Sequence, residues 1–245
     1  MVPALERVEH DWRYSKEFCP EGVDYTLFPI NWLRHQVMFF LVSALPSAER
    51  PLRVLEVGSY LGQSALTWSR AIADNCSLGG SVMCVDPWLP FLHAEDVAQG
   101  PLYAQTQQSL RDGSAFNQFQ KNIRRVNWGV PIHFFRGVLG EFPEKHFNSF
   151  DIVFVDGSHY YDDVRQDLAW AKDFVREGGV LCGDDLEKAF TIDLFEECAA
   201  NKHRDFISGY HPGVTLAVWE EFGPVWSQDG LWAVRREGYK FVWPF

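Results

Sequence analysis

The chain has 245 residues, of which 47% are hydrophobic and 22% charged, a composition typical of a soluble globular protein large enough to bury a core. Its formal net charge of −11 argues against a sequence-independent nucleic-acid binder and against an anionic membrane surface as partner, because either would need a basic face. No apolar run approaches the ~18 residues of a membrane helix, so we expect neither nucleic acid nor a membrane as partner.

The first residues and the cysteines both favour a cytoplasmic protein. The chain starts without the basic-then-apolar pattern of a secretory signal. The cysteines are odd in number and form no C-x-x-C pair, which favours reduced core thiols over a disulfide framework or a zinc site. They are Cys19, Cys76, Cys84, Cys182 and Cys198.

In chain order, the hydrophobic pattern predicts strands that alternate with helices up to about residue 200, followed by a strand pair. Helices are predicted over residues 31–45, 63–74, 115–126, 161–175 and 187–200. Strands are predicted over residues 53–57, 81–85, 132–135, 151–155, 180–182, 214–220 and 231–235. The polar segment 87–112 is expected to form an excursion on the catalytic side of the sheet. This order predicts a single α/β domain with a doubly wound, mostly parallel sheet that ends in a hairpin.

The first predicted strand leads into a glycine loop with the spacing G-x-x-x-G. Gly58 allows a sharp turn, and Gly62 opens the next helix, where free N–H groups favour a carboxylate. Ser64 adds a hydroxyl donor, and Glu56 is an acid suited to an ammonium group. The spacing differs from the G-x-G-x-x-G of dinucleotide binding, so the loop fits an amino acid better than a pyrophosphate. The alternative is a tight strand–helix turn that binds no ligand.

Asp86 ends the second predicted strand, where a carboxylate can accept hydrogen bonds from both hydroxyls of a ribose. The alternative is that Asp86 caps a turn or helix before Pro87. An aminoacyl group and a ribose on one ligand together indicate S-adenosylmethionine (SAM).

Three carboxylates follow the fourth and fifth predicted strands. Asp156 ends one strand, and Asp184 and Asp185 end the next, so neighbouring parallel strands can bring them together. Such a group needs a cation, and oxygen ligands suit Mg²⁺, which could bind and acidify a substrate hydroxyl. His159 could then accept the proton. The alternatives are that these aspartates cap the helices that follow and that His159 is structural.

The glycine loop resembles the first motif of class I SAM-dependent methyltransferases. Residues 56–65, Glu-Val-Gly-Ser-Tyr-Leu-Gly-Gln-Ser-Ala, are closest to the catechol and caffeoyl-CoA O-methyltransferases. The turn at 85–88, the helix around 116–122 and above all the block 150–185 resemble the macrocin O-methyltransferase and cephalosporin-hydroxylase-like group. The resemblance implies a Rossmann-like sheet of seven strands, SAM as methyl donor, and usually a Mg²⁺-dependent O-methyl transfer.

The resemblance also implies roles for individual residues. It assigns Asp156 and the acidic pair at 184–185 to the metal, with Asp156 also beside the cofactor, and it makes His159 the base. The catechol and caffeoyl-CoA enzymes carry Lys in place of His159 and Asn in place of Asp185, which places an extra negative charge in this chain.

Further cofactor contacts are assigned in the loops. Ser59 and Tyr60 belong to the glycine motif. Gly137 follows the third predicted strand, where relatives touch the adenine, although a plain strand-end turn is the alternative. Trp88 is assigned to the adenine or the substrate, with core packing as the alternative.

Aromatic residues make up 16% of the chain and are concentrated at its two ends. In the resembled groups the segment before the first strand and the late loops cover the acceptor, so residues 1–50 are expected to be a helical cap on a catalytic core of residues 51–245. The aromatic residues expected to wall the acceptor or form a homodimer contact are Trp12, Tyr14, Tyr25, Phe28, Trp32, Trp226 and Trp243. The alternative is ordinary core packing.

The leading hypothesis is a Mg²⁺-dependent SAM O-methyltransferase that acts on a hydroxyl of a small molecule, such as a sugar, a phenol or another natural product. One alternative is metal-independent methyl transfer to a nitrogen or carboxyl group. The others are an NAD-dependent oxidoreductase on a similar sheet and a non-catalytic SAM-binding protein.

Overall fold

An eight-stranded sheet forms the centre of the protein in the computed structural model, which describes residues 32–45, 50–125 and 128–244. The strands are β1 Leu52–Val57, β2 Gly80–Asp86, β3 Ile132–Arg136, β4 Phe150–Val155, β5 Val175–Gly183, β6 Trp226–Gln228, β7 Leu231–Glu237 and β8 Lys240–Val242. Their order is β3-β2-β1-β4-β5-β7-β6, with β8 paired to β7. The strands β1 to β5 are parallel, whereas β7 is antiparallel to both β5 and β6, so the predicted doubly wound, mostly parallel sheet is confirmed.

Helices cover both faces of this sheet. They are α1 Trp32–Ala44, α2 Gln63–Asn75, α3 Ala94–Val97, α4 Pro101–Arg111, α5 Ser114–Arg125, α6 Tyr161–Phe174, α7 Phe195–Asn201 and α8 Pro212–Phe222. Side chains alternate along β1, so that Val54 packs with α1, α2 and α5 on one face and Leu55 packs with α6 and α8 on the other. The parallel strands therefore have two buried faces, and this explains their nearly continuous apolar sequences.

The strand predicted over residues 214–220 is wrong, because this segment belongs to α8. All residues from Pro212 to Val218 are buried, and a continuous apolar run does not distinguish a strand from a fully buried helix. The final hairpin is formed instead by β6 and β7. Its turn consists of Asp229 and Gly230, both with positive φ, which is the backbone that a two-residue hairpin requires.

Two other predicted segments differ from the structure. The helix expected over 187–200 is limited to a 3₁₀ turn, Ile192–Leu194, followed by α7. The polar excursion at 87–112 contains α3 and α4. It lies at the carboxyl end of the sheet, as expected, because several of its residues line the cavity described below.

Some sequence predictions fall outside the described residues. Most of the expected N-terminal cap, with Trp12, Tyr14, Tyr25, Phe28 and Cys19, lies in the segment 1–31. The four cysteines that the structure describes are free thiols. Across the described parts of the chain, no helix combines the length and apolar character that crossing a bilayer would need.

Candidate active site

A cavity of about 1140 Å³ opens at the carboxyl ends of β1, β2, β4 and β5. This is the position where ligands bind in open α/β sheets. Ten of the residues predicted for the site line it: Gly58, Ser59, Tyr60, Ser64, Asp86, Gly137, Asp156, His159, Asp184 and Asp185. Glu56, Gly62 and Trp88 are not among the lining residues.

Asp86 holds the glycine loop in place. Its Oδ2 accepts hydrogen bonds from the backbone N–H groups of Ser59, at 2.8 Å, and Tyr60, at 2.9 Å, and its Oδ1 accepts one from the N–H of Trp88. Burial raises the pKa of Asp86, and these three N–H groups oppose that rise. A carboxylate offers about four lone-pair sites. Asp86 therefore keeps little acceptor capacity beyond the loop, and its predicted contact with both ribose hydroxyls stays a prediction.

Close packing requires both glycines of the loop. Gly58 has φ +80°, and a β-carbon there would lie 2.0 Å from the backbone oxygen of Asp156. Gly62 has φ +81°, and its β-carbon would lie 2.9 Å from the ring of Phe119. The tight-turn explanation thus accounts for the two glycines, while the loop between them borders the cavity.

Glu56 and Trp88 lie in the interior rather than on the cavity wall. Glu56 is fully buried, with the Cys84 thiol 3.9 Å from its Oε1. Trp88 packs against Phe116 and Phe119, with ring centroids 4.8 and 4.6 Å apart, and its indole N–H donates to the backbone oxygen of Tyr60. Core packing is therefore the role that the structure gives Trp88, because its ring is enclosed by aromatic neighbours.

Of the terminal aromatic residues predicted to wall the acceptor, Trp226 and Trp243 are not among the residues that line the cavity. Trp226 packs near Phe40, with ring centroids 6.4 Å apart, against the core beside α1. Trp243 is largely exposed. Trp32 is the first residue of α1.

The three predicted metal-binding carboxylates come together at the ends of β4 and β5, because Val155 pairs with Gly183 in the parallel ladder. Burial and the charges of Asp184 and Asp185 raise the pKa of Asp156 well above its ordinary value. Burial and Asp185 also raise the pKa of Asp184, to about 6, although Arg34 opposes this. The cluster therefore carries unfavourable charge repulsion that a cation would relieve.

Arg34 is the cation at this place, and sequence reasoning missed it. Its Nη1 lies 2.7 Å from Asp184 Oδ2 and 3.1 Å from Asp185 Oδ1. Its Nη2 lies 2.8 Å from Glu187 Oε1. In the sequence Arg34 is an ordinary basic residue near the start of a mostly apolar predicted helix, and the only signal for it is the need of the acidic pair for a compensating charge.

His159 lies between two carboxylates. Its Nε2 is 2.9 Å from Asp185 Oδ2, and its Nδ1 is 2.8 Å from Asp205 Oδ1. Burial alone would lower the pKa of His159, but Asp185 and Asp205 raise it well above the usual value. The imidazolium form, with both nitrogens donating, is therefore favoured, and in this form His159 has no lone pair with which to accept a proton.

Within the described residues, the group compact enough to hold a metal ion is His159, Asp185 and His211. Burial would raise the pKa of Asp185, yet His211 and His159 hold it well below the ordinary range. The predicted set of Asp156, Asp184 and Asp185 does not fit a Mg²⁺ site in this arrangement, because a guanidinium pairs with two of its three members.

The family model described as a methyltransferase domain matches residues 55–186, which is more than half of the chain. The chain belongs to the class I SAM-dependent methyltransferases. The match spans the glycine loop, Asp86 and the acidic cluster, all of which contribute residues to the lining of the cavity. No curated protein sequence matches significantly.

Solved structures share the fold of the methyltransferase. The O-methyltransferase NovP is 14% identical, with a TM-score of 0.54 over 83% of this chain and 79% of the other. A protein from Corynebacterium glutamicum is 13% identical, with a TM-score of 0.51 over 94% of this chain and 92% of the other. At such identities the likeness shows the fold alone.

Proposed function

We propose that the methyltransferase transfers the methyl group of SAM to a hydroxyl oxygen of a small organic molecule. The observation that carries this proposal is that one cavity is lined both by the glycine loop, which is predicted to bind SAM, and by a cluster of carboxylates able to accept a proton. A hydroxyl needs such an acceptor, because its proton must leave as the new C–O bond forms and the C–S bond of SAM breaks.

The size of the cavity supports a second small molecule beside SAM. Its volume of about 1140 Å³ exceeds the ~300–1,000 Å³ of a typical single-ligand pocket. The 87–112 excursion contributes an apolar wall to the cavity: Leu89, Pro90, Phe91, Leu92 and Leu102. We therefore infer an acceptor with an apolar body and a hydroxyl directed at the acidic cluster, such as a phenol or a hydroxylated natural product.

Asp156 is the proton acceptor in this proposal, and His159 is not. Asp156 lines the cavity, and burial together with the charges of Asp184 and Asp185 raises its pKa, which makes its carboxylate a stronger base. Both ring nitrogens of His159 are already paired with carboxylates, so His159 orients Asp185 and balances its charge. Mg²⁺ has no role here, because Arg34 pairs with two of its predicted ligands.

The test is a labelling assay. The protein is incubated with SAM carrying a deuterated methyl group and a panel of small molecules that bear hydroxyl, amino or carboxyl groups, and the products are identified by mass spectrometry. We expect label in methyl ethers. Label found only on nitrogen or on carboxyl groups would contradict the choice of acceptor.

A pair of variants tests the assignment of the base. Asp156→Asn should lower kcat by about 100-fold or more, the usual contribution of a general base, while the affinity for SAM in calorimetry changes little. The matched control is Asp193→Asn, which changes an exposed aspartate later in the chain. A normal kcat for Asp156→Asn would show that Asp156 is not the base. A 100-fold loss of kcat in His159→Gln alone would instead support His159 as the base, as predicted from the sequence.

A further inference from the structure

We propose that Arg34 occupies the place of a divalent metal ion, so that its guanidinium is the permanent cation of the Asp184–Asp185 pair and this site works without a metal. The inference concerns the same site as the proposed function and rests on it for the statement about catalysis. The statement about metal binding stands on the geometry of Arg34 alone.

The guanidinium of Arg34 is held by four contacts. Nη1 contacts Asp184 Oδ2 and Asp185 Oδ1, Nη2 contacts Glu187 Oε1, and Nε donates to the backbone oxygen of Asp229 at 3.0 Å. These contacts use four of the five N–H donors of a guanidinium. The side chain of Arg34 is therefore held in one position, unlike a typical surface arginine, and only 18% of it is exposed.

The acidic pair has no oxygen left without a protein donor. Asp184 directs Oδ2 to Arg34, and its Oδ1 accepts the backbone N–H of Asp185 at 2.9 Å. Asp185 directs Oδ1 to Arg34 and Oδ2 to His159. Mg²⁺ requires an octahedron of oxygen ligands about 2.1 Å away. It would have to displace the guanidinium from both carboxylates to find them.

The surrounding chain is shaped to admit the guanidinium. A β-carbon on Gly230, in the β6–β7 turn, would lie 2.7 Å from Nη2 of Arg34 and 2.9 Å from its Nε. On the opposite side, α1 is anchored in the core by Val37, Met38 and Leu41. The packing of α1 in the core thus places Arg34 beside the acidic pair, and the glycine in the hairpin turn leaves space for its guanidinium.

Arg34 acts on the reaction as a positioning residue. It fixes Asp185, which holds His159, which in turn contacts Asp205. This chain of charges keeps the polar side of the cavity in one arrangement. A guanidinium supplies the positive charge continuously, whereas a metal ion would make the same arrangement depend on its concentration.

Binding of Mn²⁺, followed by electron paramagnetic resonance and calorimetry, tests the inference without any acceptor. The wild-type protein should show no saturable binding with Kd below about 1 mM, the weak end of natural oxygen-ligand sites. Arg34→Gln removes the charge and should create a site at least about tenfold tighter, equivalent to 1.4 kcal/mol. Arg34→Lys keeps a positive charge at this position and should bind Mn²⁺ as poorly as the wild type.

The matched control is Arg70→Gln, because Arg70 forms an exposed ion pair with Asp74 on α2 and should leave Mn²⁺ binding unchanged. Wild-type binding below 1 mM that Asp184→Asn abolishes would overturn the inference, as would an Arg34→Gln variant that is folded and gains no affinity. If Arg34→Gln does not fold, the titration of the wild-type protein with Mn²⁺ still shows whether the acidic pair binds a metal ion. Binding of SAM, measured on the same wild-type sample, separates this result from a failure of the proposed function.

Discussion

Glu56, at the end of β1, is an acid enclosed by the core. One of its oxygens, Oε2, is buried without a hydrogen-bond partner. Burial raises the pKa of Glu56 to about 7, and the nearby hydroxyls of Ser59 and Ser64 oppose this rise only in part. The ordinary value is 4.5, so ionisation of this side chain opposes folding at neutral pH.

Glu56→Gln should therefore reduce the pH dependence of stability. Between pH 4.5 and 7 the unfolded chain releases this proton while the folded chain retains it, so wild-type stability falls as the pH rises. A difference of about 2.5 pKa units corresponds to on the order of 3 kcal/mol above pH 7. Urea unfolding at pH 5 and pH 8 measures this change in the free energy of unfolding. The control is Glu196→Gln, because Glu196 is exposed.

The same variant tests the predicted ammonium contact. Because Glu56 is not part of the cavity lining, we expect Glu56→Gln to keep the affinity for SAM. A loss of tenfold or more in calorimetry, without a change in fold, would instead support the contact predicted from the sequence. An unchanged difference between pH 5 and pH 8 would contradict the raised pKa.

At the scale of elements, a buried polar contact ties the 87–112 excursion to the sheet. The hydroxyl of Tyr160, just before α6, donates to Asp96 Oδ2 in α3 at 2.8 Å and accepts the backbone N–H of His93 at 2.8 Å. Nε of Arg204 lies 3.0 Å from Asp96 Oδ1. Asp96 is completely buried, so these donors fix α3 and, through it, the apolar wall of the cavity.

Tyr160→Phe should loosen this wall. The variant keeps the ring, which stacks on His93 at 4.0 Å, but removes the hydroxyl that donates to buried Asp96 and accepts the backbone N–H of His93. The cost is about 1–3 kcal/mol. We expect faster amide exchange over residues 93–111, measured by mass spectrometry, and no such change in Tyr239→Phe, whose ring is fully exposed. Equal exchange in the two variants would show that other contacts hold α3.

At the scale of the whole molecule, the strand order determines where the ligand binds. The crossovers run in opposite directions on the two sides of β1 and β4, and the glycine loop and the acidic cluster follow strands next to this reversal. A ligand bound in the cavity would contact the ends of several strands at once. A ligand that binds only the folded state stabilises the entire domain. A cytoplasmic location and a homodimer stay predictions.

SAM should therefore raise the melting temperature. At 100 times its Kd a ligand adds about 2.7 kcal/mol, which for a chain of this length corresponds to roughly 5–10 °C. NADH should produce no shift, and Asp86→Asn should reduce the SAM shift, because Asp86 holds the N–H groups of the glycine loop. Differential scanning calorimetry with each ligand measures this, and a shift with NADH alone would favour the oxidoreductase alternative.

The sequence by itself determined the parallel sheet and ten of the residues that line the cavity. Short apolar runs that end in Gly58, Asp86, Asp156 and Asp184 are local patterns, and parallel strands place their carboxyl ends on one edge without further information. Where an apolar run can be buried as a strand or as a helix, as in residues 214–220, the sequence alone leaves the choice open.

Only the tertiary structure decided which charges neutralise the acidic cluster. Arg34 and Asp185 are 151 positions apart, and they meet because α1 packs on the sheet beside β5 and the β6–β7 turn. Such a contact has no periodicity or spacing that a sequence pattern could reveal. The same holds for Asp205 and His159, 46 positions apart, whose contact turns a predicted base into a cation. Burial and charge pairing depend on the assembled fold, and they shift the pKa values of Asp156, His159, Asp184 and Asp185 away from their ordinary values.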